Sequence, residues 1–418
     1  MSAKSPTRPG VVLAMLLLVY IFNFVDRQVL AILAAPIQAE LKLSDGQMGL
    51  LGGVAFALLY STFAVPLAFL ADRTSRSWVI TVSLVLWSGF TAVCGFAQGF
   101  WHIFLARLGV GIGEAGGVAP SYALIGDYFP SNRRAFALSI YSLGIPIGSA
   151  TGVIAGGYIA STVDWRIAFF VVGIAGVLIA PLFKFVVRDR PKPAPSGPAV
   201  TASPFMDTVR ILARKPAFWF LAFGAASSSM LGYGIAFWLP SLLQRSFGLS
   251  LLETSLFYGS VLLLGGVVGV LAGGWLGDRV GSRDRAYFGY IPALAFVLGV
   301  PFFAAGIMTD SVPLAFALFL LPQALAYIWL GPVLSAVQHL VEPPFRATAS
   351  ALFLLINNLI GLGGGIYALG AFSDWLVPFY GDSALRYSML YSLALYGLAA
   401  LLMALAGPHL RRNWVEEA

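Results

Sequence analysis

Cysteine is almost missing from this sequence. Cys94 is the only one in 418 residues, so no intrachain disulfide can form and no cysteine cluster can hold a metal. Histidine is nearly as scarce, and His102, His339 and His409 lie too far apart for metal-ligand spacing. No Ser/His/Asp or Cys/His arrangement offers a nucleophile beside its base, so neither an enzyme nor a cofactor is expected. Charge is the third shortage, at 10% of residues, where a soluble domain carries about 25%. A chain so poor in charge cannot clothe a water-facing surface. Apolar residues take its place: 59% are hydrophobic and the mean hydropathy is +0.86. The net charge of +7 would suggest nucleic acid in a soluble protein, but here it is expected to mark basic loops on one face of a membrane.

A spanning helix needs about 20 mainly apolar residues. Stretches of that kind run at 11–37, 47–71, 78–97, 100–126, 135–161 and 166–187, and again at 217–240, 252–277, 286–308, 312–339, 347–371 and 386–407. The first is too long for a signal-peptide core and is followed by no small-residue cleavage site. The longest interruption, 188–215, contains "RDRPKPAPSGPAVTASP", a Pro-, Ser- and Lys/Arg-rich composition that resists packing. It predicts an N-terminal six-helix bundle over 1–187, a linker over 188–215 and a C-terminal bundle over 216–418.

Lysine and arginine sort by side. Nineteen fall in the termini, the linker and every second loop, against four (Lys42, Arg166, Arg245 and Arg386) in the loops between. The positive-inside rule then places both termini and the linker in the cytoplasm, and the short loops suit a bacterial inner membrane. The halves also echo one another. "AFLADRTSR" (68–76) and "GWLGDRVGSR" (274–283) are offset by 206, while "RAFA" (134–137) and "RATA" (346–349) are offset by 212. A duplicated six-helix unit with parallel halves is one of the known transporter architectures.

These motifs resemble those of the major facilitator superfamily. The two "DR…R" turns match its loop motif, "RLGVGIGEA" (107–115) its fourth-helix motif and "GIPIGSATGVIAGG" (144–157) its fifth-helix motif. Within that superfamily, "FNFVDRQVLAIL", "GIGEAGGVAPSYALIGDYFP" and "RRAFALSIYSLGIPIGSATG" are similar to stretches of spinster-type transporters. The resemblance implies an all-α membrane protein with twelve helices in two pseudo-symmetric six-helix bundles. It also implies transport of a lysolipid-like amphiphile by alternating access. Carriers of small organic anions share looser forms of the same motifs, so an amphipathic lipid and an organic anion or drug both stand as substrates. A lipid-acting membrane enzyme is a third possibility and lacks a nucleophile. A monomer in contact with membrane lipid is expected.

Four charges lie inside spans. Each costs about 2.5–3.5 kcal/mol at the bilayer centre, so Asp26, Arg27, Arg107 and Glu114 should face the bundle interior and pair. Arg107, Gly111, Glu114 and Val118 form one helical stripe. Asp26 and Glu114 are expected to exchange protons, while Arg27 and Arg107 hold countercharge or an anionic headgroup; the alternative is a static clamp between two helices. Asn23, Phe24, Tyr122, Tyr233, Tyr258, Tyr327 and Asn358 are candidates for the substrate cavity. Trp238 and Trp329, near predicted helix ends, suit an interfacial belt. Asp72, Arg73, Asp278 and Arg279 could form cytoplasmic latches or serve as topological anchors. Gly144, Pro146 and Gly148 read either as a hinge or as a fixed kink, because Pro146 removes a helix hydrogen bond. Asp127, Arg133 and Arg134 are expected in a cytoplasmic loop. The glycines of "GVGIGEAGG" sit inside an apolar helix, which favours close helix packing over a nucleotide loop.

Overall fold

The computed structural model describes residues 8–189, 205–281, 284–342 and 345–415, and among them every regular element is helical. Of the expected linker, 190–204 lie outside the described residues, and its far end is a short helix, Phe205–Ala213. The spans are α1 (Pro9–Ile32), α2 (Ala55–Arg73), α3 (Arg76–Cys94) and α4 (Phe100–Ala115, resuming as Val118–Tyr128). Then come α5 (Ser131–Ser142, resuming as Gly144–Thr162), α6 (Trp165–Val186), α7 (Pro216–Phe247) and α8 (Leu251–Gly281). The last are α9 (Tyr287–Met308), α10 (Val312–Leu325 with Leu330–Gln338), α11 (Arg346–Ile356 and Gly365–Tyr380) and α12 (Ala384–Ser392 with Ala394–Asn413).

By length and hydropathy alone there are 11 apolar helical stretches, because Thr348–Asn413 runs on for 66 residues. An unbroken helix of that length would be about 99 Å long, some three bilayer cores. It is broken at Gly381, whose φ of +53° is closed to most side chains, so the expected twelve spans are present. Large apolar side chains such as Phe185 (78% exposed), Phe96 and Trp101 stand outward, a surface that suits lipid and not water. Trp238 and Trp329 are buried, so they pack inside the protein and are not belt residues.

The described residues fall into two compact units, one within Met1–Lys192 and Phe237–Leu263, the other within Pro193–Ala236 and Leu264–Ala418.

The internal duplication extends to backbone detail. The turn before α2 passes through Lys42 at φ +51°, and the turn before α8 passes through Gly248 at φ +67°, a separation of 206 residues. Two residues on, Ser44 and Ser250 each open a helix with a capping box. Ser44 N–H donates to Gln47 Oε1 (3.0 Å) and Gln47 N–H to Ser44 Oγ (3.2 Å). Ser250 N–H donates to Glu253 Oε2 (2.8 Å) and Glu253 N–H to Ser250 Oγ (3.3 Å).

Glycines set the helix spacing in the first unit. A Cβ on Gly148 would strike the Ile21 carbonyl, and one on Gly152 would lie 2.6 Å from the Val25 carbonyl. The glycine face of α5 therefore lies directly on the α1 backbone just before Asp26. The helix breaks at Leu143, directly before Gly144 and Pro146.

At the Arg-rich end of α3, the chain leaving α6 folds back. Asp189 accepts from the Ser77 amide (3.0 Å), Ser77 Oγ (2.7 Å) and Ser75 Oγ, and Lys184 Nζ donates to Ser77 Oγ at 2.5 Å. Burial pushes this carboxyl up, but the Ser75 and Ser77 hydrogen bonds and the Lys184 charge outweigh it and hold it below the usual carboxylate range. Replacing Asp189 by Ala is expected to cost about 1 kcal/mol, as for a helix N-cap, read as a lowered unfolding midpoint. The folded value is depressed, so the contribution is complete above the unfolded value of about 3.9 and is lost as pH falls through the folded one. Wild type and Asp189→Ala should therefore differ at neutral pH and converge only in strong acid.

Candidate functional site

All four intramembrane charges meet in the first unit. Asp26 and Arg27 are neighbours on α1, about 100° apart around the helix, so they address different sides. Arg107 and Glu114 lie two turns apart on α4. The pairing is crossed: Arg107 NH1 donates to Asp26 Oδ1 at 3.1 Å, and Arg27 Nε donates to Glu114 Oε2 at 2.8 Å. Asp26, Arg107 and Glu114 are buried, and the Arg27 side chain is 13% exposed.

The glycines between Arg107 and Glu114 make this closeness possible. A Cβ on Gly111 would lie 2.5 Å from the Phe56 carbonyl of α2, and one on Gly113 would lie 2.5 Å from the Trp87 nitrogen of α3. With α4 wedged between two backbones, its charged stripe has no room to turn outward. Gly109, against the Phe90 ring, continues the same close face.

Aromatic rings enclose the Arg27 guanidinium. It lies 5.2 Å from the Phe24 ring centroid, 4.8 Å from Phe56 and 5.0 Å from Tyr60, within cation–π range. Arg107 lies 5.2 Å from the same Phe56 ring. From Phe24 the rings continue edge-on to Tyr20, which stacks on Tyr141 at 4.2 Å, and Tyr141 meets the half-open Tyr122. Phe24 and Tyr122 are thus joined to Arg27 by a run of ring contacts, and Asn23 is buried on the same helix, one turn before Asp26 and Arg27.

The quartet is balanced in charge but not in hydrogen bonds. Among the described residues, Glu114 Oε1, Arg107 Nε and Asn23 Oδ1 are buried without a hydrogen-bond partner. Each such atom costs about 1–3 kcal/mol.

In the second unit, Tyr233 and Tyr327 are half-buried. The buried amide there is Asn357, whose Oδ1 accepts from Ser229 Oγ at 2.9 Å, while Asn358 is half-buried. Tyr258 is buried in the first unit. Arg73 lies over Phe69 at 4.0 Å and Arg279 over Trp275 at 5.3 Å, each one turn back on its own helix. The side chains of Asp72 and Asp278 lie outside the described residues. Asp127 is not in a loop: it sits in the last turn of α4 and pairs with Arg76. Arg133 and Arg134 fall in the first turn of α5, because only Phe129 and Pro130 separate the helices.

Three contacts were not foreseen from the sequence. Thr91 on α3 donates to Asp26 Oδ2. Glu40 accepts from Trp165 Nε1 (2.6 Å) and Arg166 NH1 (2.9 Å). Arg245 forks onto Asp45 (2.7 and 2.9 Å) and also reaches Gln38 (2.9 Å). Arg166 and Arg245 were legible as two of the four exceptional basic residues, but their acids were not. Among the described residues, no group of three or more His, Cys, Asp or Glu could hold a metal ion.

The pattern of the Major Facilitator Superfamily matches residues 16–366. An "MFS-type efflux pump" of Mycolicibacterium smegmatis is 34% identical over 417 residues, covering 99% of this chain and 96% of that one. Human "Protein spinster homolog 1" is 28% identical over 394 residues, covering 89% and 74%. Among solved structures, a bacterial homologue of the human lysosomal transporter spinster, inward-facing and unoccupied, superimposes with a TM-score of 0.88 at 29% identity, covering 99% of this chain and 100% of that one. Its occupied, inward-facing form gives 0.84 at 28% identity, covering 100% of each chain.

Proposed function

This integral membrane protein belongs to the Major Facilitator Superfamily, and from that premise we propose that it is a proton-coupled carrier of a lysolipid-like amphiphile working by alternating access. One observation carries the proposal: the buried, charge-balanced quartet with an unpartnered carboxyl oxygen on Glu114. With two carboxylates and two guanidiniums the cluster is neutral. A proton on Glu114 leaves one positive charge in excess and weakens the hold on Arg27. An anionic headgroup restores the balance. The rings of Phe24, Phe56 and Tyr60 beside that guanidinium offer apolar faces to the rest of the molecule. Proton and anion then bind in concert, which is the coupling that a secondary transporter requires.

The test is uptake of a lysophospholipid into proteoliposomes with and without a pH gradient, for wild type, Glu114→Gln and Asp26→Asn. Wild type should respond to the gradient, and each variant should lose most of that response, at least tenfold. Gradient dependence that survives in both variants would overturn the proton role.

The near full-length similarity to an efflux pump favours a second reading, extrusion of organic anions or drugs through the same cluster. A panel of carboxylates and lipophilic drugs in the same vesicles separates the two. The nineteen-to-four sorting of Lys and Arg supports cytoplasmic termini and placement in a bacterial inner membrane.

A further inference from the structure

Thr91 carries one hydroxyl proton and faces two acceptors. Its Oγ1 lies 2.9 Å from the Trp87 carbonyl one turn back on α3, and it also contacts Asp26 Oδ2. The residue is fully buried, as is Asp26. One proton cannot serve both bonds at full strength. If Asp26 is ionised, the hydroxyl must turn to the carboxylate and the Trp87 carbonyl loses its extra donor. If Asp26 holds a proton, that proton bonds to Thr91 Oγ1 and the hydroxyl returns to Trp87.

We propose that Thr91 is a positioning residue for proton exchange, a hydroxyl that reverses its hydrogen bond with each proton Asp26 takes up or releases. The inference rests on the proton-coupled reading above and adds to it a named partner. It also gives the proton event a mechanical address. Trp87, whose carbonyl gains or loses the bond, is the residue whose backbone nitrogen lies against Gly113 of α4. The α3 backbone at Trp87 thus touches the helix that carries Arg107 and Glu114.

The surroundings contain few other titratable groups. From α4 come Arg107 and Glu114, from α3 Cys94, and on α1 itself Arg27. The glycine face of α5, 144–157, brings none, and α6 has none between Arg166 and Lys184. Thr91 is the group able to both donate to and accept from the Asp26 carboxyl through an uncharged oxygen.

The experiment is pH-difference infrared spectroscopy of the full chain in liposomes, with no substrate needed. The carboxylic C=O band that disappears in Asp26→Asn is assigned to Asp26. In Thr91→Val, which keeps the shape and removes the hydroxyl, that band should shift in frequency and its pH midpoint should move by about one unit, as expected for loss of a hydrogen bond to a charged group. Thr91→Ser should restore both. A purely structural Thr91 would change the unfolding temperature and leave frequency and midpoint where they were. A band that is present but unmoved in folded Thr91→Val overturns the Thr91 proposal alone. The absence of any titrating Asp26 band in wild type overturns proton exchange at Asp26, and the proposal with it.

Discussion

Replacing Arg107 by Met should destabilise the protein by about 3–5 kcal/mol, the cost of leaving a buried charge without its partner. Asp26 is 1% exposed and would be left with the Thr91 hydroxyl as its nearest donor. The methionine also leaves Glu114 and Arg27 as the only complete pair in the cluster. The double variant Arg107→Met/Asp26→Leu removes both charges and fills the space with apolar volume. Such replacements are often neutral or stabilising, so the double variant should recover most of the lost stability. Its transport should nonetheless fail to respond to a pH gradient. Thermal unfolding followed by size-exclusion recovery reads the first effect, and vesicle uptake the second. A double variant as active as wild type would reduce the Arg107–Asp26 pair to a clamp; a single variant as stable as wild type would mean that Asp26 is not held as a buried anion.

The second large effect is steric. Gly113→Leu places a side chain where even a Cβ would lie 2.5 Å from the Trp87 nitrogen and 2.9 Å from its Cα. Backbone atoms cannot rotate away, so α4 must move off α3. Overpacking a well-filled site costs about 1–3 kcal/mol, and here the displaced helix also carries one member of each crossed pair. The expected outcome is a sharp loss of folded protein, with gradient response lost in whatever survives. Gly397→Leu is the control, because a Cβ there meets nothing within 4 Å, and it should express normally.

The twelve spans were legible because about 20 apolar residues in a row admit few other fates. The four charges of the quartet were legible for a related reason, since charge inside such a stretch is costly enough to need a purpose. Their pairing was not. Whether α1 can bring Asp26 to Arg107 and Arg27 to Glu114 at once depends on its rotation against α4, which glycine contacts decide and hydropathy does not record. Thr91 was hidden differently: a threonine in a spanning helix ordinarily bonds its own backbone, and here it does that as well. Asp127 and Arg133 were misplaced because "DYFPSNRR" is polar enough to resemble a loop, although Pro130 and the residues after it suit a helix start. Asn357 and Asn358 were both legible as polar groups in an apolar span, but which of the two is buried was not, because the 3.6-residue period of an α-helix does not hold there. The backbone from Asn357 to Gly364 is π-helical.

That π stretch has a consequence of its own. Its hydrogen bonds run from each residue to the fifth along, so it stores a residue more than an α-helix of the same length would hold. It behaves like a dislocation in a crystal. The surplus residue can pass along α11 one bond at a time, while nearly every amide keeps a carbonyl partner. As it passes, the segment Arg346–Ile356 turns by about 100° against Gly365–Tyr380. Asn358 would then move into the buried place of Asn357, and Asn357 into that of Ile356, so a polar contact could be swapped without any helix leaving its neighbours.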